Sequence, residues 1–164
     1  MEGVFVSPAG FVLTPEGYQR LQEELEHLTV VKRSEIAARI RESKEHGEFS
    51  EDNNELDEVK FEQAIVENRI SDLKMIFAGA QVLDQSTLTN DVINIGNYVT
   101  VRDGDRGSEF EVRLVSSIEA DPDADYISNE SPMGMALFGA SVGEKVSFDA
   151  PVGKITYEIL KIRS

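Results

Sequence analysis

Cysteine is absent from this chain of 164 residues. Without thiols the protein cannot form disulfides, thiolate metal sites or a cysteine nucleophile, and we expect it to reside in the cytoplasm. Histidine is scarce as well, because His27 and His46 are the only two. Neither is spaced from a second ligand as zinc sites require, and we expect His27 to lie on a helix surface.

Long apolar runs and familiar catalytic motifs are also missing. No run of about 18 apolar residues occurs, so the sequence predicts no membrane span. The N-terminal stretch MEGVFVSPAGF has neither the basic start nor the long apolar core of a secretory signal, so we do not expect secretion. A glycine-rich phosphate loop, a G-x-S-x-G motif and a zinc motif are all absent, which excludes the catalytic classes that depend on them.

Basic residues are fewer than acidic residues in this sequence. The chain has 16 basic and 31 acidic residues, which gives a net charge of −15 at pH 7. A charge of this sign repels phosphates at long range and opposes the binding of free nucleic acid. Any role on nucleic acid must therefore be local, or be reached through a protein partner.

The first half of the sequence predicts two long helices. From Pro15 to Gly47 apolar residues recur at steps of three and four, with one gap around Lys32. Thr14 is the predicted N-cap and Pro15 the first helical residue. A second stripe has one polar member, Gln63, of the kind that fixes coiled-coil register, and it comprises Leu56, Val59, Gln63, Val66, Ile70, Leu73 and Phe77. Joined by a short loop, these helices should form an antiparallel coiled-coil hairpin roughly 45 Å long.

In the second half the apolar period changes to two. Alternation over 98–103, 109–116, 145–150 and 154–162 predicts a small antiparallel sheet. One short helix is expected between strands, with Ser131 as N-cap, Pro132 at the first position and Gly139 as its stop. The predicted fold class is therefore α+β, with a coiled-coil hairpin domain over 12–83 and a β domain over 90–164.

Three acids, Glu48, Glu51 and Asp52, crowd the loop between the two predicted helices. Carboxylates can hold Mg²⁺, which typically takes one or two of them together with water and substrate phosphate. The commoner meaning of such a loop is a solvated turn, and in water it would bind Mg²⁺ poorly because the Coulomb energy is small. These acids become useful where a long arm carries them to a site that already contains a metal and a phosphate.

Two further groups of residues have alternative interpretations. The distal half of the first helix carries five cations that either pair with neighbouring acids or attract a nucleic-acid backbone locally, namely Lys32, Arg33, Arg39, Arg41 and Lys44. In the stretch 126–139, Glu130 precedes Ser131 and Pro132 at the predicted helix start. That arrangement is either a cap alone or a place where a partner's helix docks.

Several long stretches resemble a known family. They are LTPEGYQRLQEELEHL, KRSEIAARIRESKEHGEFSE, ENRISDLKMIFAGAQVLD, NESPMGMALFG and GEKVSFDAPVGKITYEILKI. Together they are similar to the Gre family of bacterial transcript cleavage factors, the GreA/GreB type. The resemblance runs from Val12 to Arg163 in the family's order. It implies an N-terminal coiled-coil domain and a C-terminal domain of FK506-binding-protein-like fold.

The resemblance also implies a function. Members enter the secondary channel of bacterial RNA polymerase and stimulate cleavage of the 3′ end of nascent RNA in backtracked complexes. The resemblance implies that the tip acids Glu48, Glu51 and Asp52 assist catalysis, with Glu48 and Glu51 as ligands of a Mg²⁺ shared with the polymerase active site. The factor is then an accessory and not an enzyme itself. Arg41 and Lys44 are the expected RNA contacts, and the channel rim is gripped by Glu130, Ser131 and Pro132. We expect no tightly bound Mg²⁺ in the free protein, which should be a monomer.

The loop departs from the family pattern. Members read G-D-[LF]-x-E-N-A-E-[YL], whereas this chain reads GEFSEDNNEL, with Glu48 for the aspartate and one residue more. Aligned from the glycine the second acid is Glu51, and aligned from the following helix it is Asp52. One extra methylene moves a carboxylate by about 1.5 Å, and misplacement of about 1 Å can cost about a hundredfold in rate. A Gre-like regulator that occupies the channel without cleaving is therefore the alternative, and a chaperone or peptidyl-prolyl isomerase with an apolar, aromatic-lined pocket is a more remote one.

Overall fold

The computed structural model describes residues 11–47 and 54–164. The described chain divides into two compact units, which we call the hairpin unit (Tyr18–Ala80) and the sheet unit (residues 11–17 together with 81–164). The predicted domain limits, 12–83 and 90–164, remain predictions. No helix in the described ranges is long and apolar enough to cross a membrane.

The predicted hairpin consists of two helical arms. The first arm consists of α1 (Pro15–Glu26), a π-helical turn (His27–Lys32) and α2 (Arg33–Gly47), and the second arm is α3 (Asn54–Gly79). Thr14 caps the first arm as predicted, because its Oγ1 accepts a hydrogen bond of 3.0 Å from the backbone N–H of Gly17. The two long predicted helices are thus confirmed.

The π-helical turn explains the gap in the apolar stripe around Lys32. Leu28 and Ile36 are eight residues apart in the sequence, whereas a regular helical seam repeats about every seven. A π-helix bonds residue i to residue i+5 and so accommodates one residue more per turn. The wider turn returns Ile36 to the buried face, where it is only 2% exposed.

The hairpin core is a narrow seam between the arms. Its buried members are Ile36, Val59, Val66 and Ile70. Gln63 corrects one expectation, because it is exposed and does not interrupt the buried seam. Exposure allows its amide to hydrogen-bond to water, which burial in the seam would prevent.

Ion pairs connect the arms beside this seam. Arg33 pairs with Glu67 and Arg39 with Glu62, so the partner's number falls as the residue number rises. This order is that of an antiparallel pair of helices, as the sequence predicted.

The sheet unit contains a five-stranded sheet. Its strands are β3 (Tyr98–Asp103), β4 (Glu109–Val115), β5 (Tyr126–Ser128), β6 (Lys145–Ala150) and β7 (Gly153–Arg163), in the order β5-β4-β3-β7-β6. The pairs β3–β4, β3–β7 and β6–β7 are antiparallel, as expected. The β4–β5 pair is parallel, so the sheet is mixed rather than wholly antiparallel. Sequence periodicity did not predict β5, because three residues are too few to show an alternation.

One face of this sheet is covered by the short helix α4 (Pro132–Leu137). Leu137 of the helix is buried in a core with strand residues that include Val99, Val112, Leu114 and Ile159. The predicted helix is confirmed, with Ser131 as N-cap and Pro132 as its first residue. Gly139 follows the helix with a φ of +81°, a conformation that ends helices and favours glycine.

A second, two-stranded sheet consists of β1 (Phe11–Leu13) and β2 (Ala80–Val82). Just beyond the strands, the backbone N–H of Leu83 donates to the carbonyl of Leu13 at 2.8 Å. Leu13 is completely buried. This small sheet places the start of α1 in the sheet unit.

Candidate functional site

The predicted catalytic acids Glu48, Glu51 and Asp52 lie outside the described residues, and so do the two of them that are predicted to bind Mg²⁺, Glu48 and Glu51. Within the described ranges, no group of three or more histidine, aspartate or glutamate side chains is arranged to hold a metal ion. The assignment of Mg²⁺ to Glu48 and Glu51 therefore stays a prediction based on their chemistry.

The cations of α2 near this loop fall into two groups. Arg33 and Arg39 are paired with acids of α3, at 2.8 Å and 2.6 Å. Lys32, in the π-helical turn, lies 3.7 Å from Glu35 on its own arm. Arg41 and Lys44 are exposed, and neither is paired with an acid among the residues that the structure describes. The structure thus separates the five predicted cations into three that are paired and two that remain available to a partner.

The pairing has an electrostatic signature. Two hydrogen bonds from the Arg33 guanidinium hold the pKa of the Glu67 carboxyl below its ordinary value. The hydrogen bond to Glu62 raises the pKa of Arg39. Exposed pairs of this kind contribute little to stability because both groups remain solvated. Their main effect is to reduce the positive charge that these two side chains present to a partner.

The second predicted site, Glu130–Ser131–Pro132, is held in place by local hydrogen bonds. The Ser131 hydroxyl donates to the Ser128 carbonyl at 2.6 Å and accepts from the Gly134 N–H at 3.0 Å. The Glu130 N–H donates to the Ser128 hydroxyl at 3.0 Å. Since these bonds connect the segment to both β5 and α4, its backbone is fixed by the sheet unit.

Gly134 lets α4 approach this segment closely. A Cβ at this position would overlap the carbonyl oxygen of Ser128 and would lie only 3.0 Å from the Cα of Asn129. Carbon atoms in contact are normally about 3.5–4.0 Å apart, so only glycine fits without a shift of backbone. The segment is therefore seated directly on the backbone of the helix.

The side chains around this segment combine one acid with apolar surface. Glu130 and Pro132 are exposed, and no cation of the described residues pairs with the Glu130 carboxylate. Met135 and Phe138 are 61% and 52% exposed, one helical turn apart. Neighbouring apolar side chains next to a charge are typical of a protein-docking surface.

Sequence reasoning selected the stretch 126–139 but did not single out Met135 and Phe138. The sequence did indicate exposed apolar side chains here, because the short helix contains more apolar residues than can pack on one buried face. Met133 and Leu137 pack into the core, which leaves Met135 on the opposite side.

The isomerase hypothesis predicted an apolar, aromatic-lined pocket in the β domain. A cavity of about 340 Å³ borders Tyr98 and Tyr126, but charged side chains line it as well, including Glu111 and Arg113. The Arg113 guanidinium lies 4.6 Å from the centre of the Tyr98 ring. The lining of this cavity is therefore polar and charged, unlike that of the pocket that the isomerase hypothesis predicted.

Comparison with known proteins identifies the family. The description "Transcription elongation factor, N-terminal" matches residues 11–82, and "Transcription elongation factor, GreA/GreB, C-term" matches residues 88–164. The chain belongs to the GreA/GreB family of transcription elongation factors. The resemblance and the α+β fold class predicted from the sequence are thereby confirmed.

Individual relatives agree with this assignment. A transcription elongation factor GreA of Acetivibrio thermocellus is 46% identical over 152 residues, which is 93% of this chain and 95% of the relative. That of Clostridioides difficile is 47% identical over 153 residues, or 93% and 96% of the two chains. Among solved structures, GreA factor homolog 1 (Gfh1) of Thermus thermophilus is 32% identical and covers 94% of this chain and 99% of its own, with a TM-score of 0.44. Family membership rests on the sequence matches and not on this structural likeness.

Proposed function

We propose that the protein binds bacterial RNA polymerase in its secondary channel and stimulates cleavage of the 3′ end of backtracked nascent RNA. The observation that carries this proposal is the family match, which covers both halves of the chain over residues 11–82 and 88–164. The two candidate sites have different roles in this proposal. The sheet unit contains the docking segment, and the helices of the hairpin unit flank the acidic loop.

Docking to polymerase is assigned to Glu130, Ser131 and Pro132, with Met135 and Phe138 beside them. The Glu130 carboxylate is exposed and can accept a charge-assisted hydrogen bond from a basic residue, which is typically worth about 1.5–3 kcal/mol. Met135 and Phe138 supply apolar area that a partner can bury. The polymerase surface should therefore present a cation next to an apolar ridge.

The cleavage role is assigned to Glu48, Glu51 and Asp52. Their donor chemistry fits Mg²⁺, because carboxylate oxygens are the protein ligands that this hard cation prefers. When bound in the polymerase active site, the ion lowers the pKa of an attacking water and offsets charge on the phosphate. The three acids supply added ligands there, and Arg41 and Lys44 attract the RNA backbone locally despite the net charge of −15.

The factor acts as an accessory rather than as a nuclease. A two-metal nuclease holds its ions about 3.5–4 Å apart with several protein ligands. The loop has only three closely spaced acids, and the described residues contain no further cluster of potential metal ligands. Catalysis therefore requires the metal site of polymerase, and the protein works where polymerase works, in the cytoplasm.

A non-cleaving regulator is the second candidate. It is favoured by Glu48 in place of the family's aspartate and by the additional residue in the loop. Such a regulator would bind polymerase and compete with a cleaving factor without shortening RNA.

The docking assignment is tested with Glu130→Lys in a polymerase competition assay. Reversal of this charge should weaken binding at least about tenfold, which corresponds to about 1.4 kcal/mol. Glu144→Lys is the matched control, because Glu144 is also an exposed acid of the sheet unit. Equal affinity of the Glu130 and Glu144 variants for polymerase would reject Glu130 as a docking residue. A separate assay asks whether wild type shortens the RNA of a backtracked complex, as a cleavage factor does and a non-cleaving regulator does not.

A further inference from the structure

Sulfur in this protein is confined to methionine. The chain has four methionines and no cysteine, so there is no thiol that would react first with an oxidant. Met1 lies outside the described residues, which leaves Met75, Met133 and Met135. The surroundings of these three side chains decide which thioether a small oxidant in solution can reach.

Two of the methionines lie on opposite sides of the same short helix, α4. Met133 is half-buried and packs against the core of the sheet unit. Met135, two residues later, is 61% exposed. Because an oxidant must reach the sulfur from solvent, these two neighbours provide an internal comparison between a shielded and an accessible thioether. Met75 of α3 is also exposed, so exposure alone does not distinguish Met135.

Met135 differs from Met75 in lying beside the docking segment. Its backbone N–H donates to the carbonyl of Ser131 at 2.9 Å. Residues four apart lie on the same side of a helix, so Met135 is on the side of Ser131. Phe138 follows one turn later and is exposed as well. Met135 therefore supplies part of the apolar area that the proposed docking surface offers to polymerase.

We propose that Met135 is a reversible oxidation site whose sulfoxide weakens docking to polymerase. This inference rests on the function proposed above. The oxidant is a small peroxide. A sulfur lone pair attacks one peroxide oxygen, the O–O bond breaks as the S–O bond forms, and the departing hydroxide takes up a proton to become water. The sulfur loses two electrons and the peroxide gains them.

Oxidation turns an apolar contact into a polar one. The sulfoxide oxygen accepts hydrogen bonds, and burial of such a group against an apolar surface without a donor is costly. A cost of this kind corresponds to a loss of at least about fivefold in affinity. Because Met135 is exposed in the free protein, the same change should leave the unfolding temperature nearly unaltered. Methionine sulfoxide reductases remove the oxygen, so docking should be recoverable.

The first measurement follows oxidation of the full-length protein by hydrogen peroxide over time. Tandem mass spectrometry of peptides separates Met133 from Met135, which lie only two residues apart. Met135 should be oxidised at least about fivefold faster than Met133, and at a rate similar to that of the exposed Met75. Oxidation of Met133 at the same rate as Met135, or faster, would contradict the proposed site.

The second measurement compares affinity for polymerase before and after oxidation. Peroxide is removed with catalase before polymerase is added, so that only the factor is oxidised. Wild type should lose at least about fivefold in a competition assay and regain its affinity after treatment with the reductases. Met135→Leu, which nearly conserves volume, should bind equally well before and after peroxide. Met75→Leu is the matched control and should lose as much affinity as wild type.

General oxidative damage gives a different pattern. The unfolding temperature would then fall, and Met135→Leu would lose affinity after peroxide just as wild type does. That result, or unchanged affinity of wild type with Met135 fully oxidised, would overturn the proposal. Failure of untreated wild type to bind polymerase would instead reject the proposed function and the docking effect with it, whereas the order of oxidation is measured without polymerase.

Discussion

Substitution of Gly134 by alanine tests whether the docking segment is seated on α4 as described. The added Cβ would overlap the Ser128 carbonyl oxygen and would lie 2.8 Å from the Ser128 carbonyl carbon. Both are backbone atoms that cannot rotate away, so the helix and the segment must separate by an amount on the order of 1 Å to restore normal contact distances. The separation would stretch the bond between the Gly134 N–H and the Ser131 hydroxyl, now 3.0 Å.

The magnitude follows from two destabilising terms and one stabilising term. Overpacking of a tight contact costs about 1–3 kcal/mol, and loss of an N-cap bond costs about 0.5–2 kcal/mol. Alanine within a helix is favoured over glycine by about 1 kcal/mol. We therefore expect Gly134→Ala to lower the free energy of unfolding by about 0.5–4 kcal/mol, the opposite of what helix propensity alone predicts.

Two assays check this result. Denaturant unfolding of the full-length protein measures the change in stability, and competition for polymerase measures the change in docking. Because the Glu130–Ser131–Pro132 segment moves with its cap, we expect affinity to fall by about tenfold, or about 1.4 kcal/mol. A variant that is at least as stable as wild type and binds equally well would refute the described seating of the segment.

Three further outcomes are expected. Leu114→Ala empties a fully buried position and should cost about 2–5 kcal/mol in denaturant unfolding. Replacement of Arg41 and Lys44 by alanine should slow cleavage in a transcription assay with little effect on the unfolding midpoint, and an unchanged rate would remove their RNA role. The Arg163 hydrogen bond lowers the pKa of Glu111 in the folded protein, so its contribution to stability is complete above the ordinary glutamate pKa of about 4.3. That contribution should be lost as pH falls through the lowered pKa, and Glu111→Gln should weaken the acid dependence of the melting temperature.

Local patterns predicted much of the fold. The strands β3 and β6 have the predicted limits, and Ser131 and Thr14 cap helices as expected. Caps and alternation are visible in sequence because they depend on residues only a few positions apart.

Features that depend on distant partners or very short segments were not predictable. The contact between Glu119 and Thr14 joins residues 105 positions apart, and no local pattern marks it. Strand β5 is too short to show a period. The π-helical turn appeared in the sequence only as a gap around Lys32, since spacing alone does not tell a wider turn from an interrupted stripe.

The sequence predicted the candidate sites in different degrees of detail. Glu130 was selected because of its place before a helix start, and the structure adds its exposure and the neighbouring Met135 and Phe138. Arg41 and Lys44 could not be separated from Arg33 and Arg39 by sequence, because the choice depends on which acids of the opposite arm come within reach.

In the proposed mechanism the loop acids act inside the polymerase active site. Its most direct test adds the wild-type protein, or a triple variant with Glu48, Glu51 and Asp52 each changed to alanine, to a stalled and backtracked transcription complex. We expect shortened RNA with wild type, little or none with the triple variant, and nearly equal binding of both to polymerase. We also expect no cleavage of naked RNA by the purified protein at millimolar Mg²⁺. Unchanged cleavage by the triple variant, or RNA cleavage by the protein without polymerase, would rule out this mechanism.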